Sequence, residues 1–299
     1  MKPAGKVHLG KCVLFILAGA LILYSGPVSA RTMKVSWDPS SARPGAVVAV
    51  KVQVPMEVAS VEAVAGDERF PLLRTGEDEF LALVGVGLDY KGEVYPLDVY
   101  MTSIRRADPY YLRADLKIMG VDFGEQSLSL PTGMVDFSKE NLKRVKNDSG
   151  TLRTALAERF PERYWHGSFI IPVKGRTSTQ FGVRRVLNGK LRSPHSGVDI
   201  AAPRGTPVAV ANSGVVTMVD DLYLTGWTVV VDHGWGVSTI YAHLDSVSAR
   251  EGQLLKRGQT LGKVGSTGRA TGPHLHLGAF IRGTKVDPFL LIEATSELD

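Results

Sequence analysis

The chain has 299 residues, with 35 lysines and arginines against 30 acidic residues and a single cysteine, Cys12. A formal charge of +5 without a basic stripe or interleaved aromatics excludes nucleic acid as an expected partner. One cysteine excludes a disulfide framework and a thiolate metal site, so any metal must be held by nitrogen and oxygen donors.

Residues 1–30 carry Lys2, Lys6 and Lys11, then an apolar run over 13–24, then the small-residue ending Val28, Ser29, Ala30. That is the layout of a secretory signal peptide cleaved after Ala30, which places the mature protein in the periplasm or cell envelope. The run is shorter than the roughly 20 residues a bilayer needs. An uncleaved anchor is the alternative, and only then is a membrane a partner. Cleavage leaves 32 basic against 30 acidic residues, near neutrality. The remaining length suffices for two domains with cores of their own.

Residues 31–118 read as short alternating strands, "MKVSW", "AVVAVKVQV", "ASVEAVAG", "EFLALVGVG" and "VYPLDVYMT", separated by turn residues about every ten positions. The pattern predicts an Ig-like β-sandwich. It holds no histidine and no clustered carboxylates, so it reads as a binding, spacing or inhibitory module. Residues 119–165 read as a partly helical linker. Ser138 is placed to cap a helix whose apolar positions Leu142, Val145, Leu152, Leu156 and Phe160 keep helical spacing, with a break expected at 148–150.

Residues 166–299 return to strands, "TPVAVA", "GVVTMVDD", "TVVVDHG", "VSTIYAHL", "LGKVGS" and "HLHLGAFI", with glycine at the junctions. They predict a compact antiparallel β domain, making the chain mainly β. Five of the seven histidines fall here, between His195 and His276. In "SPHSGVDIAAP" (193–203), Pro194, Gly197 and Pro203 forbid a long helix and leave His195 and Asp199 at a turn between strands.

Successive strand residues point to opposite faces. In "IYAHL", Tyr241 and His243 therefore share one face, while Ile240, Ala242 and Leu244 share the other and are expected to face the core. In "HLHLG", His274 and His276 share a face opposite Leu275 and Leu277. "GSTGRATGPHLH" feeds a small-residue loop into that strand, the kind of entry that lets a substrate approach backbone. Three outward histidines with His195 and Asp199 exceed what satisfied core histidines explain. Zinc held by His195, Asp199 and one histidine of "HLH", with a position left for water, is the arrangement these residue types suit. Spacing alone leaves His274 and His276 open as the third ligand.

"HSGVDI", "YAHL" and "GPHLHL", in that order, with "FGVRR" (181–185), "VDHGWG" (231–236) and "KVDPF" (285–289), resemble the lysostaphin-type or LytM-type zinc metallopeptidases that cut peptide cross-bridges in bacterial cell walls. The resemblance spans roughly 166–292. The first half is similar to the β-rich domain that precedes the peptidase domain in some Gram-negative members. The resemblance implies Zn2+ held by His195, Asp199 and His276, with His243 and His274 beside the metal-bound water and the scissile carbonyl. It implies a structural role for His233, and His166 reads as a surface residue. Gly278 departs from the family pattern, where many members carry an acidic residue.

The expected function is therefore a zinc endopeptidase that hydrolyses stem-peptide cross-links of peptidoglycan, acting as a monomer. The alternative is a non-catalytic protein of the same fold that binds peptidoglycan or activates a wall amidase; such relatives have usually lost ligands, and here all five positions are filled. If the first half covers the groove, residues 166–299 alone should cut soluble cross-linked muropeptides faster than residues 31–299.

Overall fold

The computed structural model describes residues 34–296 and 298, apart from 55–57, 105–109 and 158–159. The expected export signal lies outside these residues. No described helix is long and apolar enough to cross a membrane.

The alternating segments of the first half form two sheets. Lys34–Asp38, Val47–Gln53, Glu79–Gly85 and Leu73–Arg74 make one, and Ser41–Ala42, Tyr110–Ile118, Val94–Ser103, Val58–Ala65 and Glu68–Pro71 make the other. Inward residues of both sheets, among them Val50, Val52, Val61, Ala63, Leu97 and Val99, share one core. The fit to simple alternation ends at Val47–Gln53 and Glu79–Gly85, which are buried on both faces. Their second face meets the C-terminal part of the chain: Val47 and Ala49 join the core that includes Ile281, Val286 and Leu291. At Gly85 a Cβ would come 2.8 Å from Val286 Cγ1, so only glycine permits this approach. Arg43 and Asp287 close the seam at 2.8 Å.

The second half is built on a ten-stranded sheet. Its main path runs Arg176–Thr179, Val198–Ala201, His274–Ile281, Val237–Val247, Gly226–Asp232, Gly214–Leu222 and Leu254–Leu255. All these pairings are antiparallel, as the glycine-rich junctions predict.

The linker is more than a tether. Glu125–Leu128 adds to Arg184–Leu187 as a parallel strand pair. The helix Lys139–Ala157, α1, is continuous through 148–150, contrary to the expected break. Ser138 caps it, its Oγ accepting the Asn141 amide at 3.2 Å. Asp148, a residue that favours turns when free, is instead committed across the interface, accepting the Tyr223 amide at 2.7 Å. Leu142 is exposed, and the helix docks further along, through Leu152, Ala155 and Leu156. These pack on Met218, Leu222, Val230, Ile240 and Phe280, which form a second apolar face of the sheet.

A fragment starting at residue 166 leaves that face bare. It is expected to melt at least about 5 °C below a fragment starting at 119, because large apolar side chains return to water. Equal melting temperatures by circular dichroism would show that α1 adds nothing to the fold.

Candidate metal centre

His274–Ile281 is the central strand of the site, flanked by Val198–Ala201 and Val237–Val247. Register places Asp199 directly opposite His276 and Ala201 opposite His274. Leu275 and Leu277 go into the core on the other face, as alternation requires. Gly197 allows the close packing: a Cβ there would sit 2.2 Å from the Leu277 carbonyl oxygen and 2.8 Å from the His276 ring.

Expectation and structure differ at His243. Ala242 is the strand partner of His276 and so shares its face, while Tyr241 points into the main core. A regular strand would therefore send His243 into the core with Tyr241. It does not, because the ladder slips: Val229 pairs Tyr241 and Trp227 pairs Leu244, so Thr228 alone stands opposite Ala242 and His243. This is a β-bulge. His243 takes the left-handed conformation (φ 61°), and its amide leaves the ladder to donate to the Thr225 carbonyl. The bulge turns the imidazole to the face of His274 and His276, with ring centroids 4.7 and 6.0 Å away. Backbone strain of this kind collects at functional sites.

Among the described residues, His195, Asp199 and His276 form a group whose ligand atoms lie within 4.8 Å of one another. Asp199 Oδ1 is 2.9 Å from His195 Nε2 and 2.8 Å from His276 Nδ1, and those two nitrogens are 3.0 Å apart. A tetrahedral ion at 2.0–2.1 Å from each ligand spaces them by roughly 3.3 Å, so a small opening of this triangle admits one. The donor chemistry fits as well. His195 Nδ1 donates to the Gln180 carbonyl at 2.9 Å, so in the neutral ring Nε2 is a lone pair facing the carboxylate. Nitrogen and oxygen atoms that converge at these distances need either a proton or a metal cation between them. The other carboxylate oxygen, Oδ2, accepts from Arg185 at 2.5 Å, leaving Oδ1 for the metal.

His274 Nε2 stands farther off, 3.8 Å from Asp199 Oδ1. Its Nδ1 donates to the Gly272 carbonyl at 2.8 Å, and His243 Nδ1 donates to the Thr267 carbonyl at 2.8 Å. Both rings thus keep Nε2 free. Burial, reinforced by His276 and His274, pushes His243 down to about 3, so the ring is neutral near neutral pH. For Asp199, burial alone would raise the carboxyl; the hydrogen bonds and charge of His195 and His276 overcome it and hold it well below the usual carboxylate range.

His233 and His166 stand apart. His166 is exposed, and His233 is fully buried, its Nδ1 2.8 Å from the Ser213 carbonyl and its Nε2 2.7 Å from Thr239 Oγ1. Burial pushes His233 down to about 4. An unfolded chain binds this proton near 6.5, so stability is whole above that pH and falls as pH drops from 6.5 towards 4. His243 adds an effect of the same sign. Between pH 7 and 4.5 the metal-free protein is expected to lose at least about 2 kcal/mol in denaturant melts. A His233→Gln variant should lose less; a flat profile in the unsubstituted chain would show that His233 is charged in the fold.

Two pockets flank the histidines. One, about 440 Å³, is lined by His276, Ser196 and Gly278 together with Ser149, Leu152 and Arg153 of α1. The other, about 120 Å³, holds Asp199, His243 and His274 with Gln126 and Leu128 of the linker. Among the described residues, no part of 34–118 lines either. The linker lines both pockets, so a cut at 166 removes part of the groove itself and not only a cover over it. At Gly278 a Cβ would meet only ordinary contacts, 3.5 Å or more away, so its lack of a side chain is not forced by space.

The profile of peptidase family M23 matches residues 193–288, a stretch that contains all five site residues. Over those residues the chain is similar to M23 peptidases. In Neisseria meningitidis serogroup B, the protein named DD-carboxypeptidase/endopeptidase Mpg is 43% identical over 123 residues, covering 41% of this chain and 28% of that protein. The peptidoglycan DD-endopeptidase ShyA of Vibrio cholerae is 43% identical over 115 residues, covering 38% and 27%. The matched M23 segment thus spans between a quarter and a third of these relatives. A crystal structure from Pseudomonas aeruginosa assigned to peptidase M23 aligns with a TM-score of 0.65 and 29% identity, over 84% of this chain and 95% of its own. That likeness reaches well beyond the matched residues into the first half.

Sequence reasoning named all five side chains but missed Arg185 as the partner of Asp199, although it lies in the quoted "FGVRR". Fourteen residues separate the two, and no periodicity links them.

Proposed function

We propose that this protein is a zinc endopeptidase of the cell envelope that hydrolyses peptide cross-links of bacterial peptidoglycan. The observation that carries the reading is the triangle of His195 Nε2, Asp199 Oδ1 and His276 Nδ1, with edges of 2.8 to 3.0 Å and two further imidazoles beside it. The substrate class is supported by the peptidoglycan endopeptidases to which this chain is similar.

His195, Asp199 and His276 would hold the metal as an open three-ligand site. Bound there, zinc supplies Lewis-acid polarisation of the scissile carbonyl and a nucleophile available near neutral pH. Gln180 and Arg185 orient two of the ligands from behind. His243 and His274, each anchored through Nδ1 to a carbonyl, present Nε2 towards the reacting groups. One accepts the proton released on attack, and one delivers a proton to the departing amine.

Digestion of purified cross-linked peptidoglycan by residues 31–299, with zinc and with a chelator, tests the reading. New amine and carboxyl termini at cross-links, formed only with metal, are the expected result. Binding to the polymer without new termini would leave the non-catalytic alternative.

A further inference from the structure

The smaller pocket carries more positive charge than its neighbours balance. Arg185 commits one nitrogen to Asp199, yet its Nε is buried without a partner. Arg269, half-buried on the loop that enters the "HLH" strand, lines the same pocket as Asp199, His243 and His274. Among the described residues its guanidinium makes no ion pair or side-chain hydrogen bond. Arg192 adds a third cation nearby, its Nη2 donating to the Val135 carbonyl at 2.7 Å and standing 3.7 Å from Asp136 Oδ1, so its own charge is partly balanced. Burial, and then repulsion from Arg185 and Arg192, lower the proton affinity of Arg269, so the cluster opposes its own charge. The one carboxylate in the pocket, Asp199, is already shared by His195, His276 and Arg185. A bound divalent ion would increase the excess.

An uncompensated guanidinium facing a small pocket is suited to an anion, and its planar fork matches a carboxylate. The pocket's position sets which one. It is lined by His243 and His274, one of which delivers the proton to the departing amine, and by Asp199, and not by His195 or His276. We propose that Arg269, aided by Arg185, binds a free carboxylate on the substrate residue that supplies the amine of the scissile bond. The protein thereby selects peptides bearing that carboxylate over those in which it is amidated. This rests on the endopeptidase reading and names the substrate feature that the site recognises. Arg269 acts here by holding substrate, and the charge repulsion it brings to the fold is offset when the anion binds.

The test uses two synthetic branched peptides in which a side-chain amine of a diamino acid is acylated, its α-carboxylate free in one and amidated in the other. Calorimetry on the metal-free full chain is expected to show the free carboxylate binding roughly tenfold tighter or more. Arg269→Ala should abolish that preference, and Arg269→Lys should restore only part of it. Both variants should keep their zinc capacity and melt at or above the parent temperature, because like charges have been relieved or left as they were. With zinc, Arg269→Ala should raise KM for the free-carboxylate peptide and leave the amidated one unchanged. Equal binding of the two peptides by the unsubstituted chain overturns the proposal, as does a preference that survives Arg269→Ala. A clear fall in melting temperature in Arg269→Ala would make the residue structural and also overturn it. Failure of the zinc-loaded chain to cut either peptide would instead count against the endopeptidase reading, while the binding preference still judges the pocket.

Discussion

Replacing Asp199 by alanine is expected to strip the site of metal and, with it, of activity. The carboxylate holds two corners of the ligand triangle, 2.9 Å from His195 Nε2 and 2.8 Å from His276 Nδ1. Without it two imidazoles remain, and Arg185 loses its only anionic contact there. Disturbing an outer partner of a metal ligand alone costs 10 to 100-fold in affinity, so loss of a ligand should cost at least about 100-fold. Zinc content should fall from about one per chain to a trace by elemental analysis after dialysis. Turnover should drop by about 1,000-fold or more, since charge stabilisation by a metal is worth several kcal/mol. A variant that retains full zinc would show that the ligand set is wrong.

His243→Ala and His274→Ala should separate chemistry from metal binding. Both side chains stand outside the triangle, so each variant should keep about one zinc per chain. Each should lose roughly 100 to 10,000-fold in kcat, the usual worth of a positioned proton-transfer group. The two losses should not add in the double variant, because the groups serve one reaction. His243 sits at positive φ, so His243→Asn, which tolerates that conformation, is the control for backbone strain. Zinc loss in His243→Ala equal to that in Asp199→Ala would make His243 a ligand.

What could be read without coordinates was local. Alternation identified the strands of both halves, because a strand with one buried face must repeat with period two. It also placed His274 and His276 on one face, which the burial of Leu275 and Leu277 bears out. The cap at Ser138 was legible because its partner is three residues away. At Asp148 the same local reasoning failed: the residue that should have broken the helix is bound to Tyr223, 75 positions along the chain.

The amino-acid sequence by itself determined the mainly β character, the turn positions and the set of histidines and aspartate available for a site, since each depends on neighbours a few residues apart. Tertiary structure alone decided how they meet. His274 and His276 are equivalent in spacing, and it is the pairing of Asp199 with His276 that brings one of them to the carboxylate. His243 faces the site because a bulge reverses what alternation dictates, and the bulge exists only in the ladder with Gly226–Asp232. Arg185 and Arg269 gained their place beside Asp199 through strand and loop packing across 14 and 70 positions of chain. Contacts of that range depend on register and on the closing of distant segments, and a pattern of period two or 3.6 carries no information about either.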